Sequence, residues 1–539
     1  MCTEERVDRT QSRRRRDAEA GAVLVALSAI FLLGGYLMPW WYIVACLVTV
    51  GAVGGALLTA PHWPPLLSRL LTSQVPTRRW VATGALTAVV CLLAITSVRP
   101  VNVTSAAWTT LLCLCFAKVL ETLAPSLLGG VSRYPVWVLF ATGLTVTGAG
   151  FAIRELQWAT VLFLAVLVAL ALYLWIVLPL ALYQRRQEGL PPLTEPTPQV
   201  SVLIPAYNES GYIDDCIRSI LASSYPAEQL EVVVIDDGSE DSTAAEAEAY
   251  RDQDVTVLRR ENGGKHAAIN LGLLCSTGEY VVVVDADSRV APDAIATLIA
   301  QLQAEPDVGG IGGTVRVKND TLLARVQALE YALGIHSMRR AYSFFGIVPV
   351  LPGCLTAFRR EALDEVAGFD PDTATEDFDV SIQLLKAGWK TRHSSAIVET
   401  SVPMTWSALR RQRLRWHRGG AETIWKHRNT FLDPQYGYLH SIIFPVQFVS
   451  RLLVPPASYA VVVLVGLQFL LNPSSQLLAL LAFFVLVTVL IAAVTLLVDE
   501  TDWRLLLFAP LFLVGYKHFI QYTIAAGAVQ SALNRNYDW

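Results

Sequence analysis

The sequence predicts an α/β domain with a mostly parallel sheet, inserted between N-terminal and C-terminal α-helical membrane regions. Three observations carry that reading. Charged residues make up 16% of the 539 residues and hydrophobic ones 53%, with a mean hydropathy of +0.43, whereas ordinary soluble domains carry about 25% charged residues. Apolar runs of span length lie at both ends of the chain and spare the middle. From Gln199 to about Asn429, short β-branched runs alternate with helical patterns, a βαβ rhythm that implies parallel strands and right-handed crossovers.

In chain order, Arg13–Arg16 precede an apolar stretch that starts near Gly21 and has no clear small-residue cleavage site, so it reads as a retained signal anchor. Candidate spans are Gly21–Leu37, Trp41–Ala60, Trp80–Ser97, Ser105–Glu121, Val136–Ile153 and Trp158–Tyr183. In the fourth, Lys118 and Glu121 either snorkel to the interface or face a neighbouring helix. With the N-terminus inside, Arg13–Arg16, Arg69, Arg78, Arg79, Arg133, Arg185 and Arg186 fall in inner loops, and only Arg99 and Arg154 in outer ones. Six spans therefore return the chain to the cytoplasm. The expected division is 1–189 for the N-terminal membrane region of about six helices and 190–430 for a cytoplasmic α/β domain. Residues 431–539 then supply an interface helix and a C-terminal membrane region of about three helices. The expected location is a cell membrane crossed several times.

Gly189–Pro198 reads as a linker stiffened by Pro191, Pro192, Pro196 and Pro198. Val200–Ile204, Glu231–Ile235 and Tyr280–Val284 read as strands, with helices at Tyr212–Ala222 and Ser242–Arg251 between them. Ligands should bind where these strands end. After about Leu439 the chain turns apolar again. His440–Leu453, which contains Pro445 and Arg451, is expected at the interface or as a re-entrant segment. Ala457–Leu471, Gln476–Val498 and Leu505–Ala526 are expected spans. The eight cysteines form no CxxC pair and read as small hydrophobes, with no disulfide framework and no zinc site. The net charge of −4 says little about partners, and no nucleic acid is expected among them.

Three strand ends deliver polar groups to one crevice: Pro205-Ala206-Tyr207-Asn208-Glu209, Asp236-Asp237-Gly238-Ser239 and Asp285-Ala286-Asp287. An Asp-x-Asp at a strand end can share Mg²⁺ or Mn²⁺ with a diphosphate, because hard divalent ions take oxygen ligands. Alone it is more often a solvated turn; in series with the other strand ends it reads as a site. Glu261-Asn262-Gly263-Gly264-Lys265-His266 is not a Walker A loop. Its glycines permit close backbone approach to a ligand and Lys265 adds a positive charge, or it is only a turn opening an Ala267–Leu274 helix.

Glu376-Asp377 leads into an expected helix at Asp379–Ala387. Asp377 can serve as a general base, although acids in a first helical turn are also ordinary dipole partners. Arg410–Arg418 holds five arginines. Gln412, Arg415 and Trp416 fall on one helical face, as a diphosphate clamp beside a stacking platform requires, and the other arginines are expected on lipid phosphates. A basic stripe facing solvent or lipid is the simpler alternative. Thr321–Arg340 reads as an amphipathic helix, either in the membrane interface or packed on the sheet. Gly309-Gly310-Ile311-Gly312-Gly313 reads as a flexible turn before a Thr314–Val317 strand.

The ordered set Pro205–Glu209, Asp236-Asp237-Gly238, Asp285-Ala286-Asp287, Thr375-Glu376-Asp377 and Gln412-Arg413-Leu414-Arg415-Trp416 resembles the family 2 membrane glycosyltransferases, which include cellulose, hyaluronan, chitin and poly-N-acetylglucosamine synthases. The resemblance implies a GT-A fold and inverting transfer from a UDP-sugar, with Asp377 as base. It implies nucleotide-sugar contacts from Pro205, Tyr207, Glu209, Asp236, Asp237, Lys265, Asp285, Gln412 and Arg415. Gly353, Cys354, Glu376 and Trp416 would border the acceptor, and Asp287 with Asp285 would bind Mg²⁺ or Mn²⁺. Hyaluronan and nodulation-type chitin-oligosaccharide synthases usually carry Arg after the acidic pair, where this chain has Phe378. Thr375-Glu376-Asp377, Gln412–Trp416 and Gly419-Gly420 are more similar to poly-N-acetylglucosamine synthases, then to cellulose synthases. Six N-terminal spans depart from the former. The implied function is processive polymerisation of a β-linked polysaccharide, from UDP-N-acetylglucosamine first and UDP-glucose second, with export and possible accessory export proteins. The growing glycan and the lipid bilayer would be its other partners. The alternative is addition of a single sugar to a lipid or lipid-linked acceptor.

Overall fold

The computed structural model describes Tyr173 and residues 177–189, 191–471 and 475–533. The first five expected N-terminal spans and most of the sixth lie outside the described residues. The chain divides into two compact units. One comprises Gln184–Asn429, Ser450–Pro455 and Leu507–Trp539, the other Met1–Tyr183, Thr430–Val449 and Pro456–Leu506.

The first unit is organised by an eight-stranded sheet with the order β3-β2-β1-β4-β7-β6-β8-β5. Its strands are β1 (Val200–Ala206), β2 (Leu230–Asp236), β3 (Val255–Arg259), β4 (Tyr280–Val283), β5 (Ser288–Val290), β6 (Val308–Val317), β7 (Thr356–Arg359) and β8 (Lys390–Thr400). β3, β2, β1 and β4 run parallel. β7 lies antiparallel to both β4 and β6, β8 parallel to β6, and β5 antiparallel to β8. Four ladders of seven are therefore parallel, and the sheet is mixed.

The period of two along each strand sorts side chains into two cores. Val200, Val202, Ile204, Val232 and Val234 pack with Ile213, Ile217 and Leu298 on one face. Leu203, Val233, Ile235 and Val283 pack with Ile269, Val380 and Leu384 on the other. Burial on both faces is why these strands read as continuous apolar runs rather than alternating ones. Pro205 lies past the last β1–β4 pair, Leu203↔Val283, where its missing N–H costs that ladder nothing.

Several expected boundaries move. The Ala267–Leu274 helix spans Lys265–Cys275, because the chain breaks at Gly264, whose φ is +88°. The Asp379–Ala387 helix begins at Glu376, which puts both acidic residues in its first turn. Gly309–Gly313 is not a flexible turn but buried strand inside β6. A Cβ at Gly310 would lie 2.8 Å from Leu351 and one at Gly312 2.2 Å from Pro352, so these glycines admit close packing rather than mobility. The amphipathic segment packs within the unit: Leu323 and Val326 join Leu409 and Tyr516 in one apolar cluster. It runs as Leu322–Glu330, a π-turn at Tyr331–His336 and Ser337–Phe345.

The linker is pinned. Thr194 N–H donates to Gln303 at 3.1 Å and Tyr225 OH to the Pro198 carbonyl at 2.6 Å. Just before it, Glu188 is buried against Arg340 at 2.7 Å, with the two side chains 3% and 4% exposed. Ser395 N–H and the Gln301 amide donate to the same carboxylate.

Beyond residue 430, Leu439–Leu471 and Trp503–Ala532 are long and apolar enough to cross a membrane, and Ser475–Asp499 forms a 25-residue helix between them. The expected interface or re-entrant segment His440–Leu453 and the expected span Ala457–Leu471 belong to one helix, Leu439–Leu471. The helix runs on through π-turns at Leu439–Ile443 and Val449–Leu453. A widened turn can absorb the backbone donor that Pro445 lacks.

Candidate active site

The strand-end carboxylates gather at the C-terminal edge of β1, β2 and β4. After β1, Tyr207 is 45% exposed, and Glu209 N–H donates to Thr243 Oγ1 at 2.7 Å. Burial, then Asp287, Asp285 and Asp241, push the Glu209 carboxyl up to about 7. After β2, Asp236 accepts the Ser239 N–H at 3.0 Å. Gly238, at φ +82°, turns the chain so closely on Asn262 that a Cβ would lie 2.8 Å from its nitrogen.

Asp237 is almost wholly buried. It accepts the N–H groups of Gly263 at 3.1 Å and Gly264 at 2.7 Å and pairs with Arg260 at 3.0 Å. Its carboxylate thus faces the start of the Lys265–Cys275 helix, whose dipole favours a negative charge there. That helix presents Lys265 at its first turn. Lys265 Nζ lies 2.5 Å from Asp285 and 3.2 Å from Glu376. Burial alone would lower the Lys265 pKa, but Asp285 and Glu376 override it and raise it.

Lys265 therefore joins the Asp-x-Asp strand end to the Glu376-Asp377 turn, and the two acids divide its influence unequally. Glu376 is held below its usual range by Lys265 and Arg415 despite burial. Asp377 is pushed up to about 6, by burial first and the Glu376 charge second, with Lys265 and Arg339 opposing. The wall behind Lys265 and Asp377 is apolar, lined by Ile269, Val283, Leu351 and Phe358, which is the source of the desolvation. Gly353 borders the same spot: a Cβ there would lie 2.9 Å from Lys265 Nζ and 3.4 Å from Asp377 Oδ2. Cys354 follows, its thiol pushed up by burial and by Asp285.

Asp287 accepts from Ser288 at 3.2 Å and Thr400 at 3.3 Å. Its carboxyl is raised by burial and then by Asp285. Among the described residues no group of three or more His, Cys, Asp or Glu is arranged to hold a metal. The donor chemistry nevertheless fits a hard divalent cation. Asp285 and Asp287 offer oxygen ligands, and Asp287 and Glu209 are pushed up by burial first and by neighbouring carboxylates second, a repulsion that a cation would relieve.

Trp406–Lys426 is one 21-residue helix capped by Thr405, so Gln412, Arg415 and Trp416 do share a face. Gly419 brings this helix onto the Glu376-Asp377 turn: a Cβ there would lie 2.7 Å from Thr375 Cγ2 and 2.9 Å from the Ala374 carbonyl carbon. Glu422 also accepts the Ala374 N–H at 3.2 Å. Arg415 is exposed and Trp416 half-buried.

The remaining arginines are not all lipid-facing, which corrects the expectation for them. Arg413 is 1% exposed and pairs with Glu330 at 2.7 Å. It donates to Gln412 at 2.7 Å and stacks 4.2 Å from the Trp416 ring centroid. Glu330 also accepts from Tyr516 at 2.5 Å. Arg418 pairs with Glu422 and Arg410 donates to Tyr522. Sequence reasoning missed Arg413 as the support beneath Gln412 and Trp416, because Glu330 lies 83 residues away. The i, i+3 spacing of Arg413 and Trp416 was its one local signal. Also missed was the fully buried Asp379, held by His427 and Lys426, each at 2.9 Å. It fastens the first turn of the Glu376–Ala387 helix to the C-terminal end of the Trp406–Lys426 helix.

Residues 201–367 match the family described as glycosyl transferase family 2. The chain is 33% identical over 229 residues to the poly-beta-1,6-N-acetyl-D-glucosamine synthase of Staphylococcus aureus (strain MSSA476), covering 42% of this chain and 55% of that one. It is 34% identical over 229 residues to the protein of the same name from Staphylococcus epidermidis, with the same coverage. The chain thus spans about half the length of the curated relatives it matches. Among solved structures it is similar to a mannosyltransferase from Pyrobaculum calidifontis in complex with GDP-Man and Mn²⁺, at 23% identity and a TM-score of 0.49 over 69% of this chain and 100% of that one. It is also similar to S. aureus TarS 1–349 in complex with UDP-GlcNAc, at 16% identity and a TM-score of 0.37, over 63% of this chain and 93% of the other.

Proposed function

Residues 201–367 are a family 2 glycosyltransferase domain, and from that premise we propose that the chain is an inverting, membrane-bound enzyme that polymerises sugar from a UDP-sugar into a β-linked polysaccharide. UDP-N-acetylglucosamine is the favoured donor and UDP-glucose the second. The observation that carries the reading is the docking of the Trp406–Lys426 helix on Thr375 through Gly419. It joins a stacking Trp and a cation to a buried carboxylate whose pKa of about 6 suits a general base.

In this reading the nucleotide lies along Pro205, Tyr207, Glu209, Asp236 and Asp237, and its diphosphate meets Lys265, Gln412 and Arg415. Asp285 and Asp287 would hold a divalent cation, which when bound would offset charge on the departing diphosphate. Asp377 takes the proton of the acceptor hydroxyl as that oxygen bonds to the anomeric carbon and the bond from that carbon to the UDP oxygen breaks. Arg415 faces the charge that develops on UDP. Gly353, Cys354, Glu376 and Trp416 border the terminal acceptor sugar, and Arg413 fixes the Trp416 ring from behind. The apolar helices Leu439–Leu471 and Trp503–Ala532 support membrane association, with the catalytic domain on the cytoplasmic side and export of the product.

Purified full-length protein incubated with a panel of radiolabelled UDP-sugars, with and without Mg²⁺ or Mn²⁺, tests the proposal. A high-molecular-weight ladder from one donor is the expected product. A lipid-soluble single-sugar adduct as the sole product would replace polymerisation with single addition. No UDP release from any donor would end the transferase reading.

A further inference from the structure

Arg451 is the one Arg or Lys in the apolar helix Leu439–Leu471. The short stretch that carries it, Ser450–Pro455, belongs to the same compact unit as the sheet. An ionisable side chain in a segment of this kind is costly and marks function by default. Among the described residues Arg451 makes no ion pair, and its Nε is buried without a partner. Its one hydrogen bond is long, from Nη1 to the His417 carbonyl at 3.5 Å. Donors left unmet out of water are destabilising, so stability alone does not account for a guanidinium there.

What the guanidinium touches is the junction of the site. Its carbon lies 5.8 Å from the centroid of the Phe378 ring, within cation–π range, and Phe378 is the buried residue directly after Asp377. A Cβ at Gly420 would lie 2.7 Å from Arg451 Cζ and 2.7 Å from its Nη1, so only a glycine lets the guanidinium lie flat on that turn of the Trp406–Lys426 helix. The carbonyl it meets there is that of His417, the residue after Trp416. The adjacent Gly419 seats Thr375, the residue before Glu376. Three contacts thus close a triangle: helix on acidic turn through Gly419, helix on Arg451 through Gly420, and Arg451 on acidic turn through Phe378.

We propose that Arg451 is a positioning residue, which holds the Phe378 side of the acidic turn against the His417–Gly420 turn so that a sugar stacked on Trp416 presents its hydroxyl to Asp377. This rests on the transferase reading above and adds a residue that lies outside its motifs. The Gly419-Gly420 pair then has two separate duties, one glycine for Thr375 and one for Arg451. Without the guanidinium, the turn keeps its Gly419 contact but loses the second point that fixes its distance from Trp416.

The test uses the purified full chain, radiolabelled UDP-N-acetylglucosamine and a β-1,6-linked N-acetylglucosamine tetramer as acceptor. In Arg451→Met, kcat should fall about tenfold or more, the scale of a displacement below about 1 Å between reacting groups. Donor and acceptor KM should stay within about twofold, and the melting temperature should not fall. Arg451→Lys, which keeps a cation over Phe378, should recover part of the rate. Phe378→Leu should lower kcat similarly, and the double variant with Arg451→Met should be little slower than either single one. Wild-type kcat in Arg451→Met, or fully additive losses in the double variant, overturns the proposal alone. A raised acceptor KM with kcat unchanged puts the guanidinium on the glycan itself and also overturns it. A melting temperature that falls in step with kcat across Arg451→Met, Arg451→Gln and Arg451→Lys assigns Arg451 to folding and overturns it too. Absence of wild-type turnover with every UDP-sugar overturns the transferase reading, and the proposal with it.

Discussion

Gly419→Ala is the sharpest test of how the two halves of the site are joined. The new Cβ would lie 2.7 Å from Thr375 Cγ2, 2.8 Å from its Oγ1 and 2.9 Å from the Ala374 carbonyl carbon. Ordinary carbon contacts lie at about 3.5–4.0 Å, so helix and turn must separate by roughly 1 Å. Thr375 precedes Glu376 and Asp377, and the helix carries Gln412, Arg415 and Trp416, so that separation falls between the proposed base and the proposed diphosphate clamp. A displacement of about 1 Å can cost about 100-fold in rate, and overpacking costs about 1–3 kcal/mol of stability. The expected outcome is a kcat for UDP release lowered by about two orders of magnitude and a lower melting temperature. UDP affinity, measured by calorimetry, should fall no more than about twofold. Thr375→Ala removes both clashing side-chain atoms but leaves the backbone contact with Ala374, so the double variant should recover part of the rate, a non-additive cycle. Wild-type kcat in Gly419→Ala, or a double variant as slow as the single, would refute the reasoning.

Asp377→Asn should abolish polymer while leaving UDP binding nearly intact; turnover at the wild-type rate would remove Asp377 from the mechanism. A base must be deprotonated, and the Asp377 pKa is raised to about 6, so kcat/KM should climb with pH through about 6; a rate independent of pH between about 5 and 7 would contradict this. Glu209 is held at about 7 by burial and by Asp287 and Asp285, so Mn²⁺ binding with UDP should release protons near neutrality and tighten as pH rises, measured by calorimetry in buffers of different ionisation enthalpy. Arg413→Met leaves the Glu330 carboxylate without its buried partner and should cost about 3–5 kcal/mol, read as a large fall in melting temperature, and should also raise donor KM by freeing Gln412.

Much of the sheet was legible because its strands are buried on both faces and therefore spell out unbroken β-branched runs, and because the polar residues that end them stand next to those runs in sequence. The strand-end motifs were visible for the same reason. What escaped was long-range. Asp237 was expected on the nucleotide, yet in the fold its oxygens also meet the Gly263 and Gly264 amides, a contact that exists only once β2 and the following loop are side by side. The Gly309–Gly313 run looked mobile because composition cannot say that Leu351 and Pro352 will press against it. Arg413 looked like its exposed neighbours, since its partner Glu330 belongs to another helix. The match between Gly419 and Thr375 is a matter of tenths of an ångström, and no local pattern encodes it.

The buried Glu188–Arg340 pair has a practical consequence for anyone who would isolate the catalytic portion. The proline-rich stretch after Gly189 invites a cut there, as if it were a tether between separable parts. Such a truncation would remove Glu188 and leave Arg340, 3% exposed, without its carboxylate in the interior, next to Arg339. An orphaned interior cation costs about 3–5 kcal/mol, a large share of the stability of an ordinary domain. A fragment that starts at Gln184 keeps the pair, whereas one that starts at residue 190 should express poorly or aggregate. The working boundary of the α/β unit therefore lies inside the helix Leu178–Gln187 that precedes the linker.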